Sequence, residues 1–125
     1  MEQDKKTILM IEDDTFVRGL YKDRLEKEGF NFIESNNGIQ GMNKIANEKP
    51  DLVILDLLLP LKTGFDILEE MNENKSILKI PVIILTTLKQ NRDIEEARHL
   101  GAEDYFIKSE SNFSDIIKKV KEVLS

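Results

Sequence analysis

Several short apolar runs in this chain end in residues equipped for polar chemistry. TILMI (residues 7–11) is followed by Glu12, Asp13 and Asp14. LVIL (52–55) is followed by Asp56, VIIL (82–85) by Thr86 and Thr87, and YFI (105–107) by Lys108. A lone acid at such a position reads equally as a helix cap or a solvated rim residue. Several acids brought together do not, because two carboxylates about 4 Å apart repel by roughly 4 kcal/mol at an effective dielectric near 20. Such a cluster needs a cation. Oxygen donors without histidine or cysteine suit a hard ion, Mg2+ or Mn2+. A metal, a lysine and a hydroxyl around one carboxylate are the parts needed to handle phosphate. The metal neutralises developing charge, Lys108 pairs with one phosphoryl oxygen, and Thr86 hydrogen-bonds another. The carboxylate can itself be the nucleophile, which gives an aspartyl phosphate.

These residues converge only if the chain places the ends of its apolar runs side by side. The runs have strand length, and helical patterns alternate with them. Strands are expected at Thr7–Ile11, Asn31–Glu34, Leu52–Leu55, Val82–Leu85 and Tyr105–Ile107. TILMI, LVIL and VIIL are continuously apolar, as strands covered on both faces are, which points to a parallel sheet. The second strand is mixed, as at an edge. Helical stripes are expected at Val17/Leu20/Tyr21/Leu25, stopped by Gly29, and at Ile39/Met42/Ala46, before Pro50. Further stripes are Phe65/Leu68/Met71, with Thr63 as N-cap and Asp66 three residues on, and Ile94/Ala97/Leu100, stopped by Gly101. The last is Phe113/Ile116/Ile117/Val120/Leu124. The order predicts a single-domain α/β protein, a doubly wound (βα)5 three-layer sandwich with a flavodoxin-like parallel sheet. In such sheets ligands bind beyond the carboxyl ends of the strands, where the acids, threonines and lysine fall.

The chain has 125 residues, 40% hydrophobic and 34% charged, which fits one globular domain. It has no cysteine, so disulfides, thiolate metal sites and a cysteine nucleophile are excluded. The N-terminal apolar run is too short for a membrane span and runs into acids, so a cytoplasmic protein without membrane insertion is expected. A net charge of −6 argues against direct nucleic-acid binding. The one histidine, His99, beside Arg98, reads as a surface residue.

The motifs ILMIEDD, LVILDLLLPLKTG, IPVIILTT and GAEDYFIK together resemble the receiver domains of two-component response regulators, over essentially the whole chain. The resemblance implies strand order 2-1-3-4-5 and makes Asp56 the phosphoacceptor. It makes Asp13 a direct Mg2+ ligand, with Glu12 acting largely through water, and adds Asp56 and the Leu58 backbone carbonyl to the metal shell. Thr86, followed by Thr87, matches the switch hydroxyl, Lys108 the phosphate-binding lysine and Tyr105 the switch aromatic. Pro60 and Gly64 match the loop after the nucleophile, and Asp14 reads as the cap of the first helix. The implied partners are a sensor histidine kinase or histidine phosphotransfer protein, docking near the first helix. A downstream protein would dock on the face of the fourth helix, fifth strand and fifth helix. Residues 1–125 are then expected to be one receiver domain with no output domain in this chain. It would phosphorylate and dephosphorylate itself without being a turnover enzyme.

The chain departs from the family pattern in three ways. Lys108 is followed by Ser109 where proline is usual, so a trans peptide is expected. Thr87 stands where a small residue is usual. Leu58 and Leu88, both apolar, occupy positions that in the family flank the path of hydrolytic water, and slow dephosphorylation is expected. Tyr105 reads equally as a half-buried strand aromatic with its hydroxyl in water. A phosphohydrolase would carry a second acid where Leu58 stands, and a nucleotide or flavin binder would carry a glycine-rich phosphate loop in place of Glu12–Asp14. The remaining alternative is a receiver fold that binds partners without being phosphorylated, supported only by Ser109.

Overall fold

The computed structural model describes residues 5–125. Strands and helices alternate throughout: β1 (Thr7–Ile11), α1 (Thr15–Lys27), β2 (Asn31–Ser35), α2 (Gly38–Glu48), β3 (Leu52–Leu55), α3 (Gly64–Asn72), β4 (Val82–Thr86), α4 (Asn91–His99), β5 (Asp104–Ile107) and α5 (Phe113–Leu124). All pairings are parallel, and the sheet order is β2-β1-β3-β4-β5. The expected α/β architecture and strand order hold. Strand ends shift by one residue: β2 takes in Ser35, β4 takes in Thr86 and β5 begins at Asp104.

Period-two alternation sends successive residues of one strand into opposite cores. Leu9, Ile11, Val53 and Leu55 pack with Met42, Ile45, Ile67, Leu68, Met71 and Ala97, so α2, α3 and α4 cover one face. Ile8, Met10, Leu52, Ile54, Ile83 and Leu85 pack with Tyr21, Leu25, Ile116, Ile117 and Val120, so α1 and α5 cover the other. Every residue of β3 and β4 is buried, whereas β2, at the edge, buries only Ser35 completely.

Local signals set the helix ends. Asp14 accepts from the N–H groups of Phe16 and Val17 and caps α1, as expected. Thr63 and Asp66 form a reciprocal capping box on α3. Gly29 and Gly101 take φ of 95° and 98° just beyond α1 and α4. Two stripes differ from expectation. On α2 the buried residues are Gly38, Gly41, Met42 and Ile45, while Ile39 is 46% exposed and Ala46 faces solvent. The reason is close packing by glycine: a Cβ on Gly38 would sit 1.9 Å from the Lys62 carbonyl oxygen. On α1, Leu20 is 47% exposed and Tyr21 and Leu25 hold the core.

Candidate functional site

The sheet brings the polar strand ends together through its register. Ile11 pairs with Leu55, and the next residues of both strands are Glu12 and Asp56. β3 stops at Leu55, so Asp56 follows the strand instead of ending it. Its N–H still donates to the Ile11 carbonyl at 3.1 Å. Thr86 pairs with Ile107, and the Lys108 N–H donates to the Thr86 carbonyl at 2.7 Å. Lys108 is thereby delivered to the same edge as the acids, and its peptide bond to Ser109 is trans.

Glu12 is 1% exposed and Asp56 5%. Lys108 Nζ lies 3.0 Å from Asp56 Oδ2 and 2.5 Å from Glu12 Oε1. The second contact is an ion pair without hydrogen-bond alignment, so Glu12 Oε1 is left with no aligned donor. Glu12 Oε2 accepts from the Asp14 N–H at 3.1 Å. Burial pushes the Glu12 carboxyl above its ordinary 4.5, against the pull of Lys108 and the Asp14 N–H. Burial alone would lower Lys108; its contacts with Glu12 and Asp56 outweigh that and raise it.

One carboxylate oxygen each from Glu12, Asp13 and Asp56 lies within 4.8 Å of the other two. Asp13 is exposed at the rim. Three carboxylates gathered beside one lysine, in an all-oxygen donor set, fit a hard divalent cation. Asp56 is oriented from both sides: Oδ1 accepts from the Leu58 N–H at 3.1 Å and Oδ2 faces Lys108. Leu58 itself is 51% exposed.

Glycine closes the floor under Asp56. The Gly64 N–H donates to the Leu57 carbonyl at 3.0 Å. A Cβ on Gly64 would lie 2.5 Å from the Asp56 carbonyl oxygen and 2.7 Å from Leu57 Cα. Gly64→Ala is therefore expected to destabilise the protein by about 1–3 kcal/mol, read from the midpoint of urea unfolding. An unchanged midpoint would show that the loop relaxes freely.

The structure does not bring every expected residue into contact. Thr86 is fully buried, and its Oγ1 makes a long contact of 3.5 Å with the Leu88 N–H. Thr87 faces solvent. Tyr105 is 9% exposed, and its hydroxyl donates to the Leu88 carbonyl at 2.9 Å, so the reading with the hydroxyl in water does not hold. Burial, then the charges of Asp93 and Asp56, push its phenol up to about 12. Arg18 escaped the sequence reading. Its Nη1 donates to the Glu12 backbone carbonyl at 2.7 Å, a tertiary contact whose only trace in the sequence is its place one turn after Asp14.

Fold and site together define a flavodoxin-like α/β domain with an acidic centre at the sheet's carboxyl edge. The family model of the response regulator receiver domain matches residues 8–121, and the chain belongs to that family. Its place is thus in phosphorylation-dependent two-component signalling. It is 31% identical over 119 residues to the alkaline phosphatase synthesis transcriptional regulatory protein PhoP of Bacillus subtilis, covering 95% of this chain and 48% of PhoP. The chain spans about half the length of that relative. It is 29% identical to the polar-differentiation response regulator DivK of Brucella anthropi, covering 90% of this chain and 94% of DivK. Among solved structures, the Mn2+-bound form of response regulator Rcp1 aligns with a TM-score of 0.80 and 30% identity, over 94% of this chain and 91% of that one. Among the described residues, no helix is long and apolar enough to cross a membrane.

Proposed function

We propose that Asp56 is the phosphoacceptor of this receiver and that Glu12, Asp13, Asp56 and the Leu58 carbonyl hold Mg2+ or Mn2+ beside it. The observation that carries this reading is the reach of Lys108 to both Glu12 and Asp56, where carboxylate oxygens of Glu12, Asp13 and Asp56 converge. The metal supplies charge neutralisation on the phosphoryl oxygens. An Asp56 carboxylate oxygen attacks phosphorus in line. The new O–P bond forms as the P–N bond of a phosphohistidine breaks, and the donor imidazole leaves with the electron pair. Lys108 turns from the carboxylate to a phosphoryl oxygen, and the Thr86 hydroxyl donates to another.

The switch reading rests on Leu88. Its N–H faces Thr86 Oγ1 and its carbonyl holds the Tyr105 hydroxyl, so one peptide segment ties the site to β5. Movement of Thr86 toward phosphate would loosen the first contact and shift the balance of the α4–β5–α5 face, where a downstream protein would dock. A sensor histidine kinase or phosphotransfer protein would dock nearer α1. There Phe16 is 74% exposed, and a cleft of about 210 Å³ lined by Val17, Leu20 and Phe113 opens beside Lys108. The domain would work in the cytoplasm as a regulator, not as a turnover enzyme.

The test is incubation with Mg2+ and acetyl phosphate, followed by intact-mass spectrometry with an EDTA control. A metal-dependent phosphoryl adduct supports the reading. No adduct, no Mg2+ binding and no response to beryllofluoride would overturn it. Apolar Leu58 and Leu88 are expected to slow hydrolysis. Polar residues at both positions should shorten the phosphoryl lifetime by roughly an order of magnitude, about 1.4 kcal/mol of barrier. An unchanged decay rate would remove them from the account.

A further inference from the structure

Glu12 and Asp13 lie on the short turn between β1 and α1, and few contacts set its shape. The Glu12 N–H donates to the Ser35 carbonyl at 3.0 Å, and the Asp14 N–H to Glu12 Oε2. A further tie, to the backbone itself, comes from Arg18. Its Nη1 donates to the Glu12 backbone carbonyl at 2.7 Å and its Nε to Glu34 Oε1, on β2, at 2.8 Å. The Arg18 side chain is only 13% exposed. Its anchor is itself held: Lys22 lies 3.8 Å from Glu34 Oε2, and Lys44 donates to the Glu34 backbone carbonyl.

We propose that Arg18 is a positioning residue for the divalent cation, which it serves by locking the peptide between Glu12 and Asp13. The inference rests on the metal reading above. The Glu12 carbonyl belongs to the planar unit that ends at the Asp13 Cα, so holding its oxygen restricts where the Asp13 Cα, the root of that side chain, can sit. A guanidinium holds two acceptors in one rigid fork, so the turn is referred to β2 through Glu34. Arg18 makes no described contact with the carboxylates of the cluster; it acts through the backbone.

Charge alone predicts the opposite sign. A cation near a metal site opposes metal binding, so removing Arg18 for that reason would tighten it. The variant Arg18→Met/Glu34→Gln removes the pair with no change in net charge. Dissociation constants for Mg2+ by calorimetry, and for Mn2+ by electron paramagnetic resonance, are then compared at fixed ionic strength. The expected result is a Kd raised about 10-fold, as for loss of other groups that orient metal ligands. The matched control, Asp23→Asn/Lys27→Met, removes an exposed pair on the same helix and leaves the Kd unchanged. A merely structural role would lower the melting temperature without moving the Kd of the folded protein. An unchanged or lower Kd in the Arg18 variant overturns the proposal. Wild-type protein that binds neither ion overturns the metal reading, and this inference with it. If the double variant does not fold, Arg18→Lys is read instead. It keeps the charge but not the fork, and a folded Arg18→Lys protein with wild-type Kd overturns the proposal.

Discussion

Asp56→Asn is expected to abolish the phosphoryl adduct while leaving the fold intact. The amide is close to isosteric, but its oxygen is no nucleophile toward phosphorus. Two effects on stability oppose each other. Lys108 loses the partner 3.0 Å away, which is unfavourable because a part-buried cation depends on its counter-charge. Lys108 keeps Glu12 at 2.5 Å, and the repulsion between Glu12 and Asp56 disappears. The second offsets part of the first, so the melting temperature should fall only modestly while the adduct vanishes entirely. Intact-mass spectrometry after acetyl phosphate and Mg2+ reads the first, and a thermal melt reads the second. An adduct of undiminished yield in the variant would place the phosphoacceptor elsewhere and end the assignment. A variant that fails to melt cooperatively would show instead that Asp56 serves the fold.

What the sequence revealed of this site, and what it hid, follows from the range of the interactions. Buried parallel strands declare themselves as continuous apolar runs, and β1, β3 and β4 are such runs. A strand end is a local event, so Glu12, Asp56, Thr86 and Lys108 could each be placed at the edge of the sheet one at a time. Caps and stops are local too: Asp14, Thr63 and Gly29 act within one helical turn of themselves. The inner face of α2 was misread because periodicity weights large side chains, whereas here Gly38 and Gly41 lie against the Lys62 carbonyl and Ile11. The anchor of Tyr105 was hidden because its acceptor is the Leu88 backbone carbonyl, which no residue type announces. Arg18 was hidden for the same reason. Its partners are the Glu12 carbonyl and a glutamate on β2, 16 residues away.

Glu12→Gln is expected to move stability and metal affinity in opposite directions. Without metal, the ionised Glu12 carboxylate is buried with one oxygen lacking an aligned donor. Burial raises its pKa, so the folded protein holds the proton more tightly than the unfolded chain does. At neutral pH the charged form therefore weakens the fold. As pH falls through the raised value toward 4.5, that penalty is relieved. Glutamine keeps the acceptor for the Asp14 N–H and removes the charge; its amide NH2 then stands where Oε1 met Lys108, so the ammonium has to turn wholly to Asp56. In EDTA at neutral pH the variant should therefore be more stable than the parent and melt at a higher temperature. That advantage should shrink as pH is lowered, since the parent then gains its proton. With Mg2+ added the order should reverse, because the parent gains more from binding than a site short of one negative charge can. Thermal melts at two pH values, each with EDTA and with Mg2+, read all four states. If the variant is less stable than the parent in EDTA, the Lys108–Glu12 pair outweighs the burial of the carboxylate, and Glu12 is a structural anchor. If Mg2+ stabilises parent and variant equally, Glu12 lies outside the metal's reach. The expected pattern, destabilising alone and stabilising with the ion, is that of a charge kept in the core for a ligand's sake.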